Sequence, residues 1–536
     1  WGDKTAILQD DKSYSFLDLW RLTNRVGNVL RQVGVTPGDR VLLILEDSPE
    51  WMASWIATMK VGGVGTHAYT YLPRDDYEYL FDLVEPRVVV TDGATIGRLR
   101  DALAGYGDTI KVLVAGADRS DLRDGEIDLD EIVAAASDEL VVEPTRGDDL
   151  AFWNFSGGTT GKPKGTLLSH VGFPVKIGFD LLVCMDLKPD DRMMWISDFG
   201  WVVGPMITTV CTLAGATMVL CEGTPDYPDP DRMWRLCEQH QVSFLGVAPT
   251  TIRGLMRAGT DDIEKWDLSQ LHVVASTGEP WTDEAWNWCF EHVCGRRAPL
   301  FNWTGGTEIG GGILVSTFAH PLKPCCFGGS VPGMEADILD DAGQPVGVGE
   351  VGELVLRAPS IGLTRGLWQD AERYLETYWD TYPNIWRHGD WASRDEDGLW
   401  YVHGRSDDTL KIGGKRTGPA EIEGLVMASG LITEAAAIGL PDPRAGQSVM
   451  CVCIPAPGVA SDEATANKVR DAVAAGLGHA FRPKDVLFVP DLPKTRNMKI
   501  MRRVVKAAVL GQSPGDLTAL VNPDAVTDVA RAAGQD

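Results

Sequence analysis

Residues 156–165 read Ser-Gly-Gly-Thr-Thr-Gly-Lys-Pro-Lys-Gly. The glycines Gly157, Gly158 and Gly161 let the backbone turn tightly and approach a ligand without Cβ interference. Ser156, Thr159 and Thr160 add hydroxyls, and Lys162 and Lys164 add positive charge. Successive N–H groups in such a loop form a concave anion site. The run follows Leu150-Ala151-Phe152-Trp153-Asn154-Phe155, an apolar stretch that reads as a buried strand. Together these residues describe a phosphate cradle. A Walker loop requires Ser or Thr after its Gly-Lys pair, and Pro163 stands there instead. A dinucleotide fingerprint must open a helix, which Pro163 and Gly165 oppose.

Further along, Asn302-Trp303-Thr304-Gly305-Gly306-Thr307-Glu308 is a second glycine-rich turn, ending in a hydroxyl and a carboxylate. Mg²⁺ takes oxygen ligands and bridges phosphates, so Thr307 and Glu308 suit a magnesium–phosphate contact; a capped helix beginning at Thr307 fits the same residues. Asp390, in Trp386-Arg387-His388-Gly389-Asp390, is framed for a turn where a carboxylate could accept two hydrogen bonds from a ribose diol. Arg405 could hold phosphate bidentately. Lys415 and Arg416 follow in a glycine-flanked loop with Gly413, Gly414 and Gly418. Lys499 sits in a basic run with Lys494, Arg496, Arg502, Arg503 and Lys506, for which a solvated surface is the plain reading.

The elements that must position these groups alternate. Residues 41–45, 88–90, 112–114, 242–247 and 271–275 read as buried strands, with helical patterns such as Phe16 to Val33 and Trp51 to Val61 between them. That alternation predicts an α/β fold with parallel strands. After Gly328, residues 335–339 and 350–357 alternate apolar and polar side chains and predict antiparallel strands. Residues 404–408 mark a boundary, with about 130 residues beyond it, enough for a small domain. The two units expected are 1–406 and 407–536.

The formal net charge of −27 opposes general nucleic-acid binding, which needs a basic face. Ten cysteines form no CxxC pair and no zinc spacing; they read as buried reduced thiols, which fits a reducing, cytoplasmic compartment. Trp201 to Leu220 carries no charge over twenty positions. Its Gly-Pro pair and threonines predict a buried helix and strand rather than a membrane span.

These motifs, in this order and over nearly the whole chain, resemble the adenylate-forming superfamily of acyl-CoA synthetases, peptide-synthetase adenylation domains and luciferases. Phe199-Gly200-Trp201-Val202-Val203-Gly204, Gly278-Glu279-Pro280 and residues 413–423 are similar to the acetyl-CoA and medium-chain acyl-CoA synthetase branch. The resemblance implies a large N-terminal domain of α/β subdomains with a small β-barrel-like part, plus a mobile α+β C-terminal domain. It implies ATP, Mg²⁺, CoA and a small carboxylic acid as ligands. It implies an acid:CoA ligase that forms acyl-AMP and pyrophosphate, then acyl-CoA and AMP.

By the same resemblance, Ser156, Gly157, Gly158, Thr159, Thr160, Gly161 and Lys164 cradle the β- and γ-phosphates. Thr307 contacts the α-phosphate and Glu308 holds Mg²⁺. Gly278, Glu279, Pro280, Asn302, Trp303 and Thr304 border the nucleotide. Asp390 binds the ribose, and Arg405 and Arg416 help hold the phosphates. Lys499 neutralises charge between the attacking carboxylate and the α-phosphate. Asp407 is the hinge, and Gly413 and Gly414 face CoA. Trp201, Val202, Val203, Thr277 and Gly305 line the acyl pocket. Acetate-specific members place Trp at the position of Gly305, so acids larger than acetate are expected, whether short- or medium-chain, branched or cyclic. The family's usual Ser is replaced by Gly157, and its usual Ser-Gly by Asn497-Met498. Two rival readings are acyl transfer to an amine or carrier protein, and a non-catalytic nucleotide-binding relative.

Overall fold

The computed structural model describes the chain apart from residues 157–163, 222, 258–259, 407–409, 413–414, 444–445, 496–498, 516, 518–519 and 536, with backbone alone at 156, 257, 260–262, 411, 415 and 416. Among the described residues, two large sheets dominate the N-terminal part. One has seven strands in the order 126–128, 111–115, 88–92, 40–44, 64–67, 150–156, 164–169. Its pairs are parallel except the last, where Leu150–Ser156 and Lys164–Ser169 run antiparallel. The other has nine strands, parallel through its middle (300–306, 273–276, 244–247, 192–195, 217–220, 5–9) and antiparallel at both edges.

The Val- and Leu-rich runs are buried on both faces, as central parallel strands require. Leu42, Ile44, Val89, Val112 and Val114 face one hydrophobic cluster, and Val41, Leu43, Val88, Val90 and Leu113 face another. The helix Phe16–Gln32 starts at a capping box: Ser15 Oγ accepts the Asp18 N–H at 3.1 Å and Asp18 accepts the Ser15 N–H at 2.9 Å. It then buries Leu19, Val26, Val29 and Leu30. The charge-free stretch is the buried helix Val203–Ala214, ended by Gly215 at φ 72°, and the buried strand Thr217–Leu220. Among the described residues no helix is long and apolar enough to cross a membrane. All ten cysteines are free, eight of them buried.

The barrel-like part consists of an antiparallel sheet in the order 336–339, 352–356, 386–394, 400–405. Beyond it the small C-terminal domain has its own cores. Strands Ile432–Asp442 and Gly446–Pro455 pair antiparallel, Asp485–Phe488 joins in parallel, and helices Pro419–Ala428, Glu463–Leu477, Arg502–Val509 and Pro523–Ala532 cover them. His403 Nδ1, at the end of the four-stranded sheet, meets Glu421 Oε1 of the first of these helices at 2.8 Å.

Candidate active site

Ligands of open α/β sheets bind beyond the carboxyl ends of parallel strands, and the residues expected to line the acyl pocket lie there. Thr277 follows strand Val273–Ser276, and Gly305 lies at the end of its neighbour Leu300–Gly306. Trp201, Val202 and Val203 follow strand Arg192–Trp195 two places across. The Phe199 N–H donates to Asp47 Oδ1 at 2.8 Å, and a Cβ on Gly200 would lie 2.8 Å from the Tyr69 nitrogen. Asp47 and Tyr69 follow strands of the seven-stranded sheet, so the carboxyl ends of the two sheets meet at this loop.

Four of the sequence motifs converge on two side chains. The Tyr378 hydroxyl donates to Glu308 Oε1 at 2.7 Å, and Lys164 Nζ lies 3.4 Å from the same hydroxyl and 5.3 Å from the ring centroid. Tyr378 stacks on Trp386, with centroids 4.1 Å apart and planes 5° from parallel. Burial, then the neighbouring Glu308 charge, pushes the phenol far above its usual range, so it remains a donor. His388 Nε2 lies 3.3 Å from both the Gly305 carbonyl and Asp390 Oδ2. Both partners are acceptors, which puts the ring proton on Nε2. Burial holds His388 below the ordinary histidine value despite Asp390, with Arg405 adding to the effect; the imidazole is neutral at pH 7. Arg405 Nη1 stands 3.7 Å from Asp390 Oδ1 and donates to the His388 carbonyl at 3.4 Å.

Local backbone chemistry explains how Asp390 is aimed. The expected turn at Gly389-Asp390 is instead a bulge inside the long strand Trp386–Arg394. Bulges re-aim side chains beside sites. Gly389 has φ +89°, a conformation that favours glycine, and a Cβ there would come 2.8 Å from Arg405 Nη2 and displace the end of that guanidinium. Glu353 holds the bulge: it accepts the Gly389 N–H at 2.9 Å and the Ser406 hydroxyl at 3.2 Å, and pairs with Arg387 Nε at 3.1 Å. Thr307–Ile309 forms a single 3₁₀ turn rather than the start of a longer helix.

Other predicted residues lie differently. Asn302 is buried and donates to the Cys326 carbonyl at 2.9 Å, and Trp303 packs edge-on against Trp195 at 6.3 Å. Glu279 is engaged by Arg253 at 2.8 Å and by Thr250. Gly278 has φ +106°, and Thr304 and Pro280 are half-buried. Gly157, Gly158, Thr159, Thr160, Gly161, Asp407, Gly413 and Gly414 lie outside the described residues. Ser156 pairs with Lys164, and Arg416 with Lys411, through backbone. Lys499 is exposed, its amide donating to Thr495 Oγ1 at 3.2 Å.

Sequence reading missed Tyr378, the role of His388, Glu353 and a buried pair beneath the Gly305–Gly312 hairpin. Lys176 (3% exposed) and Asp180 (0%) meet at 2.5 and 2.7 Å, and Asp180 Oδ2 accepts the Gly312 N–H at 2.7 Å. Lys176 at i and Asp180 at i+4 was the available signal. Burial pushes the Asp180 carboxyl up and the Lys176 ammonium down, and each opposes the other's shift. Lys176→Met is expected to cost about 3–5 kcal/mol in urea unfolding, because a buried charge loses its partner. Asp180, already raised above its unfolded value near 3.9, then rises further, so the variant's deficit grows as pH climbs. Lys176→Met/Asp180→Asn should recover most of the loss, since asparagine still accepts the Gly312 N–H. An equal deficit in the double variant would sink this account.

The family model for the AMP-binding enzyme matches residues 1–368, and that for the AMP-binding enzyme C-terminal domain matches residues 421–499. The chain belongs to the AMP-binding enzyme family, within the adenylate-forming superfamily. It is 33% identical over 537 residues to the acetyl-coenzyme A synthetase of Methanothrix thermoacetophila, covering 97% of this chain and 82% of that one. Acetoacetyl-CoA synthetase from Streptomyces lividans superposes with a TM-score of 0.89 at 28% identity, covering 99% of this chain and 84% of that one. A benzoate CoA ligase from Burkholderia xenovorans LB400 gives a TM-score of 0.80 at 25% identity, covering 93% and 96%.

Proposed function

We propose that this AMP-forming acid–CoA ligase activates a carboxylic acid larger than acetate, through the residues grouped around Tyr378 and His388. The observation that carries the catalytic assignment is the meeting of Lys164, Glu308, Asp390 and Arg405, drawn from four distant segments, around those two side chains. The acid attacks the α-phosphate of ATP, giving acyl-AMP and pyrophosphate; the CoA thiol then displaces AMP. In-line substitution at phosphorus needs positioning and charge stabilisation above all.

The loop Ser156 to Gly161 and Lys164 hold the β- and γ-phosphates. Glu308 holds Mg²⁺, for which one carboxylate beside substrate phosphates is a fitting donor set. When bound, the ion neutralises phosphate charge. Tyr378 fixes the rotamer of Glu308. Thr307 contacts the α-phosphate, and Asp390 takes the ribose hydroxyls, its carboxylate oriented by the His388 N–H. Arg405 and Arg416 hold the nucleotide. Gly278, Glu279, Pro280 and the backbone of residues 302–304 border the adenine. The units are 1–406 and 407–536, and the smaller turns about Asp407, withdrawing Lys499 and bringing Gly413 and Gly414 to CoA.

The acid is read from Gly305. No side chain rises there between Thr277 and the Trp201–Val203 loop, where acetate-specific members are expected to carry an indole. The sequence relatives named as acetyl-CoA synthetases support the two-step reaction. Acetoacetyl-CoA synthetase and benzoate CoA ligase, which share the fold, act on bulkier acids. Apolar pockets separate homologues by only about 1–3 kcal/mol per methylene, so selectivity is broad. Pyrophosphate release across C2 to C10, branched, hydroxy and aromatic acids, with and without CoA, tests the assignment. Propionate or a larger acid is expected to exceed acetate in kcat/KM, with turnover requiring CoA. Acetate as the best substrate overturns the size assignment, and full acyl transfer to an amine without CoA overturns the ligase assignment.

A further inference from the structure

The basic run around Lys499 is not one solvated surface. Lys494 is buried (5% exposed), with Nζ 2.8 Å from Glu434 Oε2 and 2.7 Å from Asp491 Oδ1. Burial pulls its ammonium pKa down, but the two carboxylates outweigh that and hold it above the usual lysine value. Arg502 is likewise committed, gripping Glu423 through Nε at 2.7 Å and Nη2 at 2.5 Å, while Glu423 also accepts the Ala437 N–H at 2.9 Å.

Asn522 completes the cluster. Its Nδ2 donates to Asp491 Oδ2 at 2.6 Å and to the Leu492 carbonyl at 2.8 Å, and its Oδ1 accepts the Lys494 N–H at 2.9 Å. The Val521 N–H donates to the Lys494 carbonyl at 3.0 Å. Lys494 pairs antiparallel with Ile500, and Thr495 with Leu520. The Met501 N–H reaches the Pro493 carbonyl at 2.8 Å, the Thr495 N–H reaches the Lys499 carbonyl at 2.8 Å, and the Lys499 N–H reaches Thr495 Oγ1. The backbone of Lys499 is therefore tied to Thr495, and the neighbouring Lys494 is tied by charge to the strand Ile432–Asp442 that carries Glu434.

We infer that Lys494 is a positioning residue for Lys499, locking the paired segments 493–495 and 499–501 so that the exposed lysine is delivered at a fixed height from the domain. The inference rests on the reading of Lys499 as the adenylation lysine. Without the ammonium, the Glu434 and Asp491 carboxylates lose the cation they share and repel, and the pairing of 493–495 with 499–501 loosens. A displacement near 1 Å far from the chemistry costs on the order of 10²-fold in rate.

Lys494→Met, Lys494→Arg, Asn522→Ala and Lys499→Ala in the full chain test it, each assayed for ATP–pyrophosphate exchange, for thioester formation from preformed acyl-AMP and CoA, and for thermal unfolding. Lys494→Met is expected to lose about 10²-fold in exchange while thioester formation stays at the parent rate. Lys494→Arg, which keeps the charge, should restore part of the exchange. Asn522→Ala leaves the ion pairs and should show the same split at about tenfold, which keeps the test open if Lys494→Met fails to fold. Equal loss in both half-reactions by Asn522→Ala and Lys494→Met overturns the inference. Normal exchange in Lys494→Met beside a dead Lys499→Ala overturns it alone; full exchange in Lys499→Ala overturns the reading of Lys499 and the inference with it.

Discussion

Lys499→Ala is expected to lower ATP–pyrophosphate exchange by about 10²–10³-fold, the usual loss when one preorganised contact to a developing charge is removed. Thioester formation from preformed acyl-AMP and CoA should survive. The split follows from the proposed two orientations of the small domain: the lysine serves the first step and is withdrawn in the second. The residue is exposed, and Thr495 holds its amide and its carbonyl; alanine keeps both of those contacts, so the pairing of Thr495 with Lys499 and the unfolding midpoint should be unchanged. Equal impairment of both half-reactions would contradict the two-orientation mechanism.

Gly305→Trp is expected to impair every acid and not to convert the protein into an acetate-selective ligase. On sequence grounds the position looks vacant. In the fold, a Cβ on Gly305 would come 2.0 Å from the Gly311 carbonyl and 2.7 Å from Gly312 Cα. The direction a side chain would take from this position runs into the partner strand of the hairpin and not into the proposed pocket, so any side chain must push the two strands apart. Glu308 lies in the same hairpin, and the His388 N–H is anchored on the Gly305 carbonyl. Movement here therefore reaches Glu308, the proposed Mg²⁺ carboxylate, and, through His388, Asp390. We expect a fall of about 10²-fold or more in kcat/KM for all acids, and about 1–3 kcal/mol of lost stability from overpacking. A stable variant with parental kcat/KM on acetate and loss only on longer acids would show that the hairpin yields, and that the position is a simple gate.

The sequence made the α/β alternation legible because a strand buried on both faces has few options other than Val, Ile and Leu, as at residues 41–45 and 88–90. The motifs stood out less one by one than together, because glycine, hydroxyl and charge recur in several segments in one order along the chain. Their context was less so. Gly389-Asp390 reads as a turn, since glycine before aspartate commonly makes one; only pairing with strand Gly352–Leu356 shows the bulge. Tyr378 sits in a helix of ordinary composition, and nothing local says that it bridges Lys164 to Glu308. Glu353 reads as the polar member of an alternating strand, yet it is buried among Arg387, Ser406 and the Gly389 N–H. The basic run misled for the same reason: Lys494 differs from Lys499 only through Glu434 and Asp491, and Glu434 is sixty residues away.

The Lys176–Asp180 pair has a consequence for how this protein can change. In the proposed acyl pocket, the wall at Gly305 is bare main chain, stiffened from behind by two charges that make no claim on the ligand. Main chain has no residue to exchange for a slightly larger or smaller one. A single substitution at 305 meets a collision, and a single substitution at 176 or 180 strands a charge. New acid preferences along this lineage should therefore arise at the Trp201–Val203 loop or at Thr277, or through paired replacements at 176 and 180. The site is conservative by construction on one side and free to drift on the other.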